Sequence, residues 1–251
     1  SSLGAMPQKA EDDAYSVDSP VQRYTYELEH VTYGLATRFS KEFIEDEKGS
    51  IAARVATSIG RSAAETLNVK HANVFNRAFN SSYVYGDGVE LCALTHPLIS
   101  GTEQNELSSP ADLSNSSLNE ALYTMRKTLD HRGKQLSIRG VRLIVPPELE
   151  MVASQILGSM AEYQLSSTTS APASNLNFFR GRLTLVVNSY LTDPDAWFIE
   201  AEEHGLVSYM RVAFSPASYV EDSTDGIIHK ARMRFSCGAE EWRGIFGSPG
   251  A

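Results

Sequence analysis

The chain is 251 residues long and 42% hydrophobic, and its 22 Lys and Arg against 31 Asp and Glu leave a formal net charge of -9. That length and apolar content bury a sizeable core, as one large domain or two that share elements, and exclude a disordered chain. The acidic balance excludes a general nucleic-acid binder, because gripping phosphates needs a concentrated cationic face, and no apolar run is long enough for a membrane span.

In chain order, Met6 to Pro20 is polar, with Lys9, Glu11-Asp12-Asp13 and Asp18-Ser19-Pro20, and predicts a projecting loop with almost nothing to bury. Val21 to Phe39 alternates as a strand does, with a phase slip near Glu29-His30 that predicts a bulge or a change of face. A short helix follows from Ser40 through Ile44 and Asp46, ended by Gly49. Ser50 is a good N-cap, and after it Ile51, Val55, Ile59, Ala63 and Leu67 recur every four residues, continuing through Val74, Phe75, Ala78 and Phe79. This is one amphipathic helix from Ser50 to Asn80, about 40 Å long at 1.5 Å per residue, around which the other elements are organised. Gly86-Asp87-Gly88 then marks a sharp turn.

Leu98 to Ser117 is rich in Ser, Asn, Gly and Pro and predicts a surface loop outside the core. Leu118, Ala121, Leu122, Met125 and Leu129 predict a second amphipathic helix closed by Gly133. Val141 to Val145 is a short buried strand broken by Pro146-Pro147, and a third helix runs from Glu148 to Met160. Ser166 to Ser174 is of low complexity. Strands follow at Leu183 to Val187, Ala196 to Glu200 and Val207 to Phe214, and a polar connection from Glu221 to Gly226 leads into a last strand from Ile228 to Cys237. The fold class is α+β.

Few residues carry chemistry. Cys92 and Cys237 stand in no CxxC or CxxH spacing, so neither a disulfide framework nor a zinc site is indicated, and the opening Ser1-Ser2-Leu3-Gly4-Ala5 lacks the regions of a secretion signal. Gly60-Arg61-Ser62-Ala63-Ala64 is a faint likeness of a nucleophile elbow, but it lies in mid-helix. The six histidines are scattered, none at metal-ligand spacing, and each is read as a surface or hydrogen-bonded core residue. Gly86-Asp87-Gly88 lacks the remaining ligands of a calcium loop. No catalytic, cofactor or metal residue is therefore assigned. Arg126, Lys127, His131, Arg132, Lys134, Arg139 and Arg142 form the one basic cluster, with no interleaved aromatics to stack bases. It is either a solvated helix end placed well for the helix dipole or a contact for an acidic partner.

Several runs together resemble a known family: Tyr33-Gly34-Leu35, Ala72 to Asn80, Gly86-Asp87-Gly88, Thr95-His96-Pro97, Val145-Pro146-Pro147-Glu148-Leu149, Tyr190 to Phe198, and the tail from Arg243 to Ala251. Their order is similar to that of the Hong Kong 97-type major capsid proteins of tailed phages, more closely the Mu-like prophage major head subunits. The resemblance implies a structural, non-enzymatic shell protein of the phage head. It would assemble in the host cytoplasm into hexamers and pentamers around double-stranded DNA that it does not read, with portal, scaffold and decoration proteins as further partners and no membrane. It also implies four segments: an extended loop hairpin and following strand (1-49), the spine helix and peripheral domain (50-142), an axial domain (143-214) with Ser166 to Ser174 toward the capsomer axis, and a return strand with the C-terminus (215-251). The alternatives are an encapsulin-type shell around cargo enzymes and, from another class, a soluble hydrolase using Ser62 or a histidine.

Within this frame the loop carrying Glu11, Asp12, Asp13 and Tyr15 has too little apolar surface to order itself. Arg126, Lys127, Arg132 and Lys134 have no evident local anion. The two groups are expected to meet across a subunit boundary.

Overall fold

The computed structural model describes residues 3, 6–19, 24–46, 51–159 and 177–251. The expectations placed on Val21, Gly49, Ser50, Met160 and Ser166 to Ser174 lie outside the described residues. In chain order the elements are β1 (Val31–Phe39), α1 (Lys41–Asp46), α2 (Ile51–Asn76), β2 (His96–Pro97), β3 (Thr102–Glu103), α3 (Asn115–Lys127), β4 (Gly140–Val145), a 3-10 turn over Pro147–Leu149, α4 (Glu150–Gly158), β5 (Thr184–Val187), β6 (Trp197–Ala201), β7 (Leu206–Glu221), β8 (Gly226–Ala239) and β9 (Ile245–Ser248). They fall into two compact units, one of Ser1–Tyr26, Phe75–Gly205 and Ala239–Ala251, the other of Glu27–Val74 and Leu206–Gly238. These units follow packing within the chain, whereas the four segments implied by the resemblance are named for places in an assembly. Residues 75–142, grouped there with the long helix, pack in the same unit as 143–205.

The first unit is built on a four-stranded sheet in the order β5-β4-β6-β9. β4 pairs parallel with β5 and antiparallel with β6, so that Leu143 faces Leu185 on one side and Ile199 on the other. Every residue of β6 is buried, which is why Trp197-Phe198-Ile199 reads as a continuous apolar run and does not alternate. Leu118, Ala121 and Met125 of α3, one helical stripe, share a core with Ala153, Ile156 and Leu157 of α4 and with Trp197 and Phe246. α3 starts earlier than the apolar periodicity suggests because Ser114 and Ser117 form a capping box, each hydroxyl accepting from the other's backbone N–H at 3.2 and 2.9 Å. Its C-cap is Thr128, and Gly133, at φ 79, belongs to the loop beyond. The stretch expected as a surface loop is partly core: Leu107 and Leu113 are buried among the α3 and β6 side chains. Its polar composition hides them because only two apolar side chains in it turn inward, and the other buried ones, Asn105 and Ser117, are themselves polar.

The second unit holds Ile51–Val74 of α2 and a three-stranded sheet in the order β1-β8-β7. β1 pairs antiparallel with β8 through nine residues, from Val31 opposite Phe235 to Phe39 opposite Ile227. Among the described residues of the first 49 the expected hairpin is not seen. Described residues 6–19 and 24–30 carry no strand, and the partner of β1 comes from near the other end of the chain. Alternation identifies a strand and its faces but not its partner, which explains the miss. α2 ends at Asn76, where Ala78 and Asn80 donate to Phe75 and Arg77 in tighter turns. Its apolar stripe lies where the periodicity puts it, but burial is uneven: Ile59 and Ala72 are buried, while Leu67 is only half-buried. Ile59→Asp is accordingly expected to cost several kcal/mol and Leu67→Asp clearly less, because the penalty follows the water lost by the charge. Urea midpoints of the two variants compare them directly.

Candidate functional site

The arm of residues 6–19 is the least self-sufficient part of the first unit. Glu11, Asp12 and Asp13 are exposed, and Met6, Tyr15 and Val17 are exposed to 99%, 85% and 92%. The tip is a turn in which the Asp13 N–H donates to the Ala10 carbonyl and Asp12 takes a left-handed φ of 63, which gathers the three carboxylates. At its base the arm is held: the Arg132 guanidinium donates to the Asp18 carboxylate at 2.5 and 2.9 Å. Arg132 is presented by a loop that buried Asp130 ties together, its carboxylate accepting from the N–H of both Arg132 and Lys134 at 2.8 Å. Beyond the base, Tyr24 donates to the Pro97 carbonyl at 3.0 Å with its ring against His131, and Tyr26 stacks on Tyr85. Arg132 therefore has an anion in its own chain, contrary to the expectation that it lacks one.

Beneath this base lies a buried polar network that no local pattern announces. The His96 ring is fully buried, with Nδ1 2.7 Å from the Asp87 carboxylate, Nε2 2.9 Å from Asn105 Oδ1, and its face stacked on Trp242 at 4.1 Å. Asn105 has one possible orientation, since its amide group donates to the Leu91 and Ile245 carbonyls at 2.7 and 3.1 Å while its Oδ1 accepts from the Ala93 N–H at 2.8 Å. Three separate stretches of chain, 87–96, the one around Asn105 and 242–245, are thereby tied at one point. The reading of His96 as a hydrogen-bonded core residue holds.

Next to Asn105, burial and the neighbouring Glu90 push the Glu106 carboxyl above its ordinary range. An acid raised in the folded state gives stability that is full below its unfolded value near 4.5 and is lost as pH rises through the folded value. Glu106→Gln is therefore expected to be more stable than the parent at pH 8 and indistinguishable from it near pH 4, a difference that thermal melts across that range would reveal. Burial also pushes the Cys92 thiol well up, so it is an inert core residue.

The basic cluster that is continuous in sequence is three things in space. Arg132 and its loop hold the arm. Arg142 pairs with the buried carboxylate of Glu200 at 3.0 Å, on which His204 also closes at 2.8 Å. Arg126 and Arg139 line a cavity of about 190 Å³ together with Tyr123, Phe178 and Arg182. Lys127 lies beside it, its ammonium 4.4 Å from the centre of the Tyr123 ring. Aromatic side chains do stand among these cations. One was missed because it is contributed by Phe178, far along the chain. Lys134 is exposed and lines neither this cavity nor the Asp18 contact. Ser62 sits in the middle of α2, beside Ile59 and Ala63 in a groove whose other wall includes Tyr33 and Met233. Among the described residues no group of three His, Cys, Asp or Glu could hold a metal ion.

The family model for phage capsid protein matches residues 24–247. In structure the chain is similar to the capsid protein of bacteriophage JBD30, at 13% identity and a TM-score of 0.60 over 76% of this chain and 84% of that one. It is also similar to the capsid of a native GTA particle, at 11% identity and a TM-score of 0.56 over 99% of this chain and 81% of that one, and to a chain of Gordonia phage Cozz, at 12% and 0.55 over 99% and 79%. At such identities the likeness is one of fold, and it bears out the α+β capsid architecture. No curated protein sequence matches the chain. With the family model covering nearly the whole sequence, the chain belongs to the phage capsid protein family.

Proposed function

We propose that the chain is the major subunit of an icosahedral phage head, closing with identical copies into hexamers and pentamers around packaged double-stranded DNA. The observation that carries this reading is the family match over residues 24–247, joined to an arm whose apolar side chains have no cover in their own subunit. Leaving Met6, Tyr15 and Val17 in water forgoes about 1.5 to 3 kcal/mol for each large apolar side chain, and a shell of repeated contacts recovers it many times over. The work of the protein is assembly and containment, not catalysis. Its place is the virion head, built in the host cytoplasm, with portal, scaffold and decoration proteins as further partners. Residues 1–49 would supply the intersubunit loop, 50–142 the spine and peripheral part, 143–214 the axial part and 215–251 the return strand, in the manner of Mu-like major head subunits. The net charge of -9 suits a wall that encloses DNA without gripping it.

The test is the content of particles isolated from producing cells and treated with nuclease. Protected double-stranded DNA inside closed heads is expected. Small shells holding protein cargo and no DNA would favour an encapsulin-type role, and absence of particles would contradict the reading.

A further inference from the structure

We propose that the cavity framed by Arg126, Arg139 and Arg182 is a carboxylate socket, and that its occupant is the Glu11-Asp12-Asp13 tip of a second copy of this chain. The inference rests on the shell reading and adds the partner surface to it. The three arginines come from separate segments, the end of α3, the approach to β4 and the approach to β5, yet line one cavity of about 190 Å³. Among the described residues none of the three has a carboxylate partner. Gathering guanidinium groups without an anion costs repulsion, which an entering carboxylate converts to attraction. The Arg182 guanidinium lies 3.6 Å from the centre of the Phe178 ring, which uses its face and leaves its N–H edge for a planar acid.

The occupant follows from size, charge and supply. A cavity of about 190 Å³ matches carboxylate side chains in size, whereas a duplex could bring only single phosphates to its mouth. The arm offers three acids bunched in one turn, matching three guanidiniums, and beside them Tyr15 and Val17, whose apolar surface would cover the Tyr123 and Phe178 rings. This relocates the expected pairing. Arg132 is engaged by Asp18, Lys134 lies outside the cavity, and Arg139 and Arg182 take their places.

Two variants test it, with the tip reversed as Glu11→Lys, Asp12→Lys and Asp13→Lys, or the socket reversed as Arg126→Glu, Arg139→Glu and Arg182→Glu. Circular dichroism first establishes that each is folded like the parent. Each alone is expected to assemble at least about tenfold less than the parent, because every contact then sets like charge against like. One chain carrying all six substitutions is expected to recover assembly, and a tagged tip variant is expected to co-purify with the socket variant, since the lysine tip of one fits the glutamate socket of the other and the acidic tip fits the arginine socket. If the six-substitution chain assembles while the tip and socket variants do not co-purify, the contact is made within a chain and the proposal fails. Normal assembly of either variant alone also overturns it while leaving the shell reading standing. A parent chain that forms no particles would instead contradict the shell reading. A fluorescent 12-base-pair duplex added to the parent at low salt decides the remaining case: binding that socket reversal abolishes and a synthetic peptide of residues 6–19 cannot displace would assign the cavity to nucleic acid.

Discussion

Replacing Asn105 by alanine is expected to be among the most damaging single changes in this protein. The side chain satisfies the Leu91 and Ile245 carbonyls, the Ala93 N–H and the Nε2 edge of His96, and all four contacts are buried. Each orphaned buried group costs about 1 to 3 kcal/mol, so the sum reaches about 4 kcal/mol or more, against a typical domain stability of about 5 to 15 kcal/mol. The variant should either be recovered as insoluble protein or show a urea midpoint far below that of the parent. Asn105→Asp keeps the accepting oxygen but sets a second oxygen against two carbonyls, so it too should be strongly destabilised. An Asn105→Ala protein melting within a degree or two of the parent would show that the network is replaced by water at little cost.

The second large effect concerns the pair next to it. The side chain of His96 is fully buried and that of Asp87 is 4% exposed, and the carboxylate sits 2.7 Å from the ring. Truncating one partner of this buried pair leaves the other's polar group without its hydrogen bond, at about 1 to 3 kcal/mol or more, whereas replacing both with apolar residues of similar size is often nearly neutral. His96→Leu alone and Asp87→Leu alone are therefore each expected to be severely destabilised, and the double variant to regain a large part of the loss. A double-mutant cycle on urea midpoints gives the coupling directly. Losses that simply add would mean that the two side chains act independently. The stack of the His96 ring on Trp242 at 4.1 Å limits the recovery, because leucine does not reproduce that contact.

What the sequence made legible and what it hid divide along a physical line. Periodicity exposed α2, because a stripe recurring from Ile51 to Phe75 has few explanations other than a helix. It exposed α3 and α4 in the same way, while β4 and β6 stood out as short apolar runs bounded by turn residues and β5, β7 and β8 as strand-like stretches, although β7 runs to Glu221, well past Phe214, since its exposed surface follows no burial pattern. β9 was missed because Ile245-Phe246-Gly247-Ser248 is short, wholly buried and interrupted by glycine. Pairing lay beyond local pattern, so β8 as the partner of β1 could not be read. The candidate site was legible only in its acids. Nothing near Asn105 in sequence marks it as a hub, because its partners lie at 91, 93, 96 and 245. The run from Arg126 to Arg142 looked like one patch because it is continuous in sequence, yet a helix end, a tight loop and a strand direct its members to Asp18, to Glu200 and to the cavity beside Phe178. The faint elbow at Ser62 dissolved into an ordinary helix turn, in which the Thr66 hydroxyl donates to the Ser62 carbonyl at 2.8 Å.

If this chain completes itself only in a shell of its own copies, a cryo-electron reconstruction of particles assembled from the full chain will show it. Closed icosahedral shells are predicted, with residues 6–19 of each subunit ordered against a neighbour and Tyr15 and Val17 covered. Protein that remains monomeric under conditions favouring assembly, or shells in which the arm stays solvated on its own subunit, would mean that the arm is not an intersubunit element.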